Sequence, residues 1–161
     1  MAIPVYLWLK DDGGNDIKGS VDVRDREGSI ELITQNHYVR VPVDTFTGKQ
    51  TGTREHGAYG FTKEVDSSST YLYKAASIGQ TLKSAEFRFY RINYAGQEEN
   101  YFTTLLENVR VTSVSPLMFD IKSDTIHNHL EYVTLSYERI TWTYMDGNVI
   151  HSDSWNERRT A

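Results

Sequence analysis

The sequence contains no cysteine among its 161 residues. That absence removes disulfides, thiolate metal ligands and cysteine nucleophiles together, and leaves stability to packing and assembly. Proline is nearly as scarce, with three residues in a composition otherwise ordinary for a soluble fold, 39% apolar and 24% charged. Charge of one sign is lacking too: the net charge is −5 and acidic and basic residues alternate, so no concentrated field exists to hold a nucleic-acid backbone. No apolar run approaches the roughly 18 residues that would mark a membrane-spanning helix. The opening "MAIPVYLWLKDD" has neither a basic stretch nor an apolar segment long enough for a cleaved signal. The expectation is a protein without membrane insertion whose export, where it occurs, uses no cleaved leader.

What is present points to strands. Aromatic residues make up 12% of the chain and eleven are tyrosines, a bias that favours β structure. A chain of this length fits one domain spanning 1–161, which buries roughly two-thirds of its unfolded surface. Val5, Leu7 and Leu9 alternate with Tyr6, Trp8 and Lys10 before "DDGGND" turns the chain. In "SIELITQNHYVRVPV", alternation puts Glu31, Ile33, Gln35 and His37 on one face and Ile30, Leu32 and Thr34 on the other. From Asp44 to His56 the sequence reads as a long polar loop with Phe46 its only large apolar residue, a candidate interaction element. Tyr71, Leu72, Ala75, Ala76 and Ile78 recur at helical spacing after a serine cluster and before Gly79, which predicts one helix over 67–79. Two long strands follow as a hairpin around "NYAGQEEN"; "LMFDI" reads as a short strand. A final hairpin turns at Asp146, Gly147 and Asn148. Val133, Leu135 and Tyr137 are out of phase with Ile140, Trp142 and Tyr144, which a bulge near Glu138 or Arg139 would explain. The sum is a mainly β fold, an antiparallel β-barrel or pair of packed sheets with one flanking helix.

Reactive chemistry is hard to find. In "IHNHLE", His127 and His129 would share a strand face and offer two nitrogens to a metal, the basis of an alternative reading as a cupin-like metal-binding enzyme. Glu131 follows too closely for the cupin pattern, no Pro-x-Gly precedes His151, and a His-Asn-His nuclease does not string these residues consecutively. "DDGGND" lacks the spacing of a calcium loop, "TGKQTGT" lacks that of a phosphate cradle, and no serine sits in a Gly-x-Ser-x-Gly elbow. The expectation is therefore no catalysis, no metal and no cofactor. Arg24, Asp25, Arg26 and Glu27, like the short tail 156–161, read as solvated charge.

The stretch "FTKEVDSSSTYLYKAASIGQTLKSAEFRFYR", with "MAIPVYLWLKDDGG" and "IKGSV" at the start and "HNHLEYVTLSYERITWTYMDGNVIHSDSW" at the end, resembles the haemolysin-coregulated protein (Hcp) family, in its enterobacterial branch. Thr70 stands where that family usually has proline, a tolerable change in a first helical turn. The resemblance implies a barrel subunit that closes homohexameric rings, with rings stacked into the inner tube of a bacterial type VI secretion system. It implies as partners other copies of the chain, the sheath and tip spike proteins, and small effectors carried in the lumen. It also implies a cytoplasmic start followed by secretion to the medium or a target cell. Asp44, Phe46, Lys49, Arg54 and His56 are the expected ring or stacking contacts, and Glu31, Ile33 and Gln35 the expected lumen-facing residues.

Overall fold

A computed structural model describes residues 3–157, so most of the expected tail, 158–161, lies outside the described residues. In chain order the elements are β1 (Val5–Lys10), β2 (Asp16–Ile17), β3 (Ile30–Asn36), β4 (Val39–Arg40), β5 (Glu55–His56), β6 (Tyr59–Glu64), α1 (Ser69–Ile78), β7 (Thr81–Ile92), β8 (Glu98–Leu117), β9 (Leu130–Ser136), β10 (Arg139–Tyr144) and β11 (Val149–Ser154). Strands β8, β7, β1, β3, β6 and β9 pair antiparallel in that order, and β9 returns to β8. This closes a six-stranded barrel, in which every barrel strand has a neighbour on both sides, although β1 meets β3 through only two residue pairs. Strands β10 and β11 extend from β8 as a flap, β2 adds to β1, and β4 with β5 forms a separate small sheet.

Alternation explains the interior. Leu7 and Leu9 face Phe87 and Ala85 across β1 and β7, Ala85 faces Leu106 across β7 and β8, and Phe61 faces Val133 across β6 and β9. All seven are essentially inaccessible to solvent. Leu72 and Ala75 of α1 join the same cluster, so the helix closes over part of the barrel. Its Gly79 adopts φ 68°, the left-handed conformation that ends a helix without steric penalty. The Ser68 side chain does not cap the helix. Asp66 does the local work instead: its Oδ1 accepts from the Ser68 N–H at 2.9 Å and from the Ser68 hydroxyl.

Several expectations change. "LMFDI" is not a separate strand, because β8 runs on to Leu117 and Met118 to Asp120 are irregular. The phase change near Glu138 is not a bulge within one strand: β9 pairs with β6 and β8, the chain breaks at Tyr137–Glu138, and β10 pairs with β8 and β11. In β3 a register shift between Leu32 and Thr34 puts Gln35 opposite Phe61. Directly opposed residues share a sheet face, so Gln35 is in phase with the interior and no longer with Glu31 and Ile33. Arg26 is not solvated either: its guanidinium lies over Tyr6 and Tyr90, 5.0 and 4.0 Å from the ring centroids, and pairs with Glu98.

The same alternation carries Lys63 and Glu131 inside, because Lys63 follows Tyr59 and Phe61 in phase and faces Glu131 across β6 and β9. Both are fully buried. The Lys63 ammonium pairs with Glu131 and, at 2.9 Å, with Asp66, and the Ser69 hydroxyl donates to Glu131 Oε1 at 2.7 Å. Burial pushes the Asp66 carboxyl up, but hydrogen bonds from Ser68 and Lys63 outweigh it and hold the group below its usual value. The cluster ties the start of α1 to the barrel. Removing one member strands the other charge, so Lys63→Met should cost about 3–5 kcal/mol, and adding Glu131→Leu should recover most of it. Urea denaturation of the three proteins checks this; equal loss in the single and double variants would mean the pair is not the source.

Candidate assembly interface

Residues 38–56 form an ordered arm. Val39 pairs with His56 and Arg40 with Glu55, a further bridge joins Val43 to Gln50, and Arg40 Nε donates to Glu55 at 2.8 Å. The turn at the tip is built by Asp44, whose Oδ1 accepts from the N–H groups of Phe46 at 2.7 Å and Thr47 at 3.1 Å. Those two donors hold the Asp44 carboxyl below its ordinary value. Gly48 at φ 71° completes the reversal. The segment read as a polar loop is thus the outer part of a hairpin.

The arm exposes apolar side chains among its polar ones. Val39, Val41 and Val43 are 41%, 46% and 52% accessible, and Phe46 at the tip is 97% accessible. A row of half-exposed valines at every second position, with a fully exposed phenylalanine beyond, is an apolar stripe open to solvent along part of its length.

The root of the arm is different in kind. Arg54 Nε and Nη2 donate to the two carboxylate oxygens of Asp153 at 2.7 and 2.9 Å, and Nη2 also donates to the Ser154 carbonyl at 2.6 Å. His56 Nε2 lies 2.7 Å from Asp153 Oδ2 and its Nδ1 lies 3.1 Å from the Tyr137 hydroxyl. An ionised carboxylate only accepts, so Nε2 carries the proton that reaches Asp153. The Tyr137 hydroxyl also meets His37 Nε2 and donates to the Gly57 carbonyl. Trp155 packs on both His56 and Tyr137, with centroids 5.7 and 5.0 Å away. The Arg54 hydrogen bonds and, after them, that from His56 outweigh burial and set the Asp153 carboxyl at about 2. Burial, with the Asp153 charge beyond it, raises the Tyr137 phenol. Burial, reinforced by the charge of His56, lowers His37.

The expected contacts therefore divide. Phe46 and Lys49 are exposed at the tip, and Asp44 shapes it. Arg54 is bound to Asp153 with 22% of its side chain exposed, and the His56 side chain is only 1% exposed, so both are engaged within the subunit. Glu31 and Ile33 stay exposed on one strand face, while Gln35 is exposed in a different phase. The stripe Val39, Val41 and Val43 and the junction of Asp153, Tyr137 and Trp155 were missed. The valines did alternate in "YVRVPV", which was the signal available for them.

His127 and His129 do not assemble a metal centre. His127 Nδ1 is 2.7 Å from Asp124, its ring lies 4.6 Å from that of Phe119, and Glu131 is turned inward to Lys63. Among the described residues no group of three or more His, Cys, Asp and Glu side chains is placed to hold a metal ion.

Against known proteins, residues 6–144 match the family model described as type VI secretion system effector, Hcp. The chain belongs to the Hcp family. It is 32% identical over 166 residues to the "Major exported protein" of Pseudomonas aeruginosa, with 96% of each chain covered. A double variant of Hcp1 from E. coli EAEC 042 is 66% identical, covers 96% of this chain and 99% of its own, and superposes with a TM-score of 0.88. The secreted protein Hcp3 of Pseudomonas aeruginosa gives 0.78 at 26% identity, covering 97% and 100%. The enterobacterial likeness read from the sequence agrees with the E. coli relative.

The junction has a measurable acid limit. Asp153 moves from 3.8 in the unfolded chain to about 2. Its contribution to stability is therefore complete above the unfolded value and disappears as pH falls through about 2. In Arg54→Ala the titration of Asp153, followed by NMR at the side-chain carboxyl carbon, should move up toward 3.8; a midpoint unmoved in the variant would remove Arg54 as its cause.

Proposed function

We propose that this Hcp-family chain is the ring-forming subunit of a type VI secretion inner tube, and that the arm from Tyr38 to His56 is a contact it offers to another copy. The observation that carries the reading is the arm's bare apolar stripe, Val39, Val41 and Val43 with Phe46 at its end, on a hairpin anchored at its root by Arg54 and His56. A closed ring needs two unlike patches per subunit, one fitting the other head to tail. A rigid projecting arm supplies the first of them. Strands β2, β11 and the arm each carry a strand edge that no other strand pairs with among the described residues, and such edges are places where another copy could add.

A homohexameric ring, the stacking of rings, engagement of sheath and tip spike proteins, and passage from the cytoplasm to the outside belong to the same proposal; what supports these is membership of the Hcp family and the likeness to an exported relative. Glu31 and Ile33, exposed together on β3, are the residues we assign to the lumen, where small effector proteins would ride. They border a cleft shared with Val21, Val23 and Val65 and with Asp22 and Glu64, a mix of apolar and acidic side chains that suits weak contact with cargo. The role is structural and requires no catalytic group.

Light scattering of the purified protein should give the mass of about six chains, and electron micrographs should show rings with a central hole. A strict monomer across salt and pH would overturn the assignment. Phe46→Asp, at a position with no burial to lose, should leave the melting temperature unchanged while weakening assembly at least tenfold in concentration; unchanged assembly would remove the arm tip from the interface.

A further inference from the structure

We propose that Asp153 is the positioning residue of the arm: it fixes the direction in which the hairpin leaves the barrel by clasping Arg54 and His56 from β11. The inference rests on the reading of the arm as a contact element only for its consequence in assembly, since the clasp itself is a property of the isolated subunit.

Three observations converge on it. The first is connectivity. The arm and β11 are about a hundred residues apart, and Asp153 is the acceptor for both Arg54 nitrogens and for His56 Nε2, at 2.7–2.9 Å. One carboxylate thus receives hydrogen bonds from two residues that flank Glu55 on the returning side of the arm. The Arg54 bond to the Ser154 carbonyl adds a backbone anchor to the same strand.

The second is that little else holds the arm. Its two strands are two residues long, its valine stripe is exposed, and its outer part is separated from β11 by an open cleft lined by Val41, Gln50, Thr53, His151 and Ser152. Without the clasp that cleft gives the arm room to swing. With it, a bidentate Arg–carboxylate pair sets both distance and plane.

The third is that the carboxylate is itself oriented. Asp153 lies opposite Ile140, a core residue, in the β10–β11 ladder. Its partner His56 is fixed from the other side by Tyr137 and covered by Trp155. The clasp therefore transmits the position of the barrel, through the Tyr137 link between β9 and β10, to the arm.

The test uses the full chain and two readouts, amide hydrogen exchange by residue and oligomeric mass. Asp153→Ala should raise exchange at the arm amides of 39–56 at least tenfold while the barrel amides of β1, β6 and β7 keep their protection. Asp153→Glu, which retains the carboxylate, should recover part of the protection, and Arg54→Lys, which keeps the charge but loses the fork, should fall between wild type and Asp153→Ala. Arm exchange unchanged in Asp153→Ala, or a loss of protection spread equally through the barrel, overturns the proposal. If Asp153→Ala does not fold, Arg54→Lys decides it by the same comparison. A loosened arm with unchanged ring mass would uphold the clasp and instead overturn the arm's role in assembly, so the two readings fail separately.

Discussion

Strand β8 runs from Glu98 to Leu117 and changes partner part-way along one edge, pairing with β10 through residues 102–107 and with β9 through residues 110–117. On its other edge it pairs with β7 through residues 98–110. The pairing with β9 closes the barrel, and the pairing with β10 sends the flap away from it. At the changeover Asn108 takes φ 53° and its side-chain amide donates to Glu138 at 3.0 Å. A left-handed residue breaks the ladder there, and asparagine is among the few that tolerate the conformation. Across the gap, the Glu138 N–H donates to the Glu107 carbonyl and the Trp155 N–H to the Glu138 carbonyl, so the link is held at the point where the strands part. Tyr137, Asp153 and Trp155 all sit beside that link. The arm's anchor is thus a consequence of how the barrel closes.

The barrel's two ends are finished by different polar solutions on the same pair of strands. Along β6 and β9, Lys63 and Glu131 lie at one end under the start of α1. Tyr59 and Leu135 lie at the other, beside His37 and Tyr137. The apolar pair Phe61 and Val133 fills the interval. Burial without water-exposed relief requires each of these polar groups to find a partner. At the helix end Ser69 and Asp66 supply partners for the ion pair, though Glu131 Oε2 is left without one. At the arm end the histidines share one phenol. Both ends therefore attach a neighbouring element, a helix in one case and a hairpin in the other, by hydrogen bonds whose geometry sets an orientation.

The sequence announced the parts that obey one period. The alternation in β1, the helix with its Gly79 stop and the β7–β8 hairpin are local patterns with local causes. What escaped was set by pairing across long separations. A residue inserted at Ile33 flips the phase of everything after it in β3, and no composition rule marks the insertion. The inward phase of Lys63 and Glu131 was readable, since each follows its apolar neighbours at every second position. Hydrophobicity alone sends charged residues outward, and only their mutual pairing reverses it. Arg26 is similar, its burial depending on Glu98 seventy-two residues away and on two tyrosine faces. For the site, composition made the arm visible as a polar segment, but not that its valines would remain bare or that Arg54 and His56 would be drawn back to Asp153.

That division of labour along the arm has a physical reason. An isolated two-stranded hairpin is marginal in water, and apolar contact, being non-directional, would let it settle against the barrel at many angles. If the valine stripe had been used to fasten the arm to its own subunit, only Phe46 would remain as a large exposed apolar group on the arm beyond Tyr38. Fastening by charge-assisted hydrogen bonds at the root leaves the stripe free. It also specifies an angle, because Arg54 meets both oxygens of Asp153 in one plane while His56 approaches one of them along a separate line. A ring closes only when the rotation between neighbours is the same at every contact. Small errors in the angle of a projecting element accumulate around the circle, so a subunit that joins others through an arm needs the stiffest joint at the arm's base, which is where the structure concentrates its polar contacts.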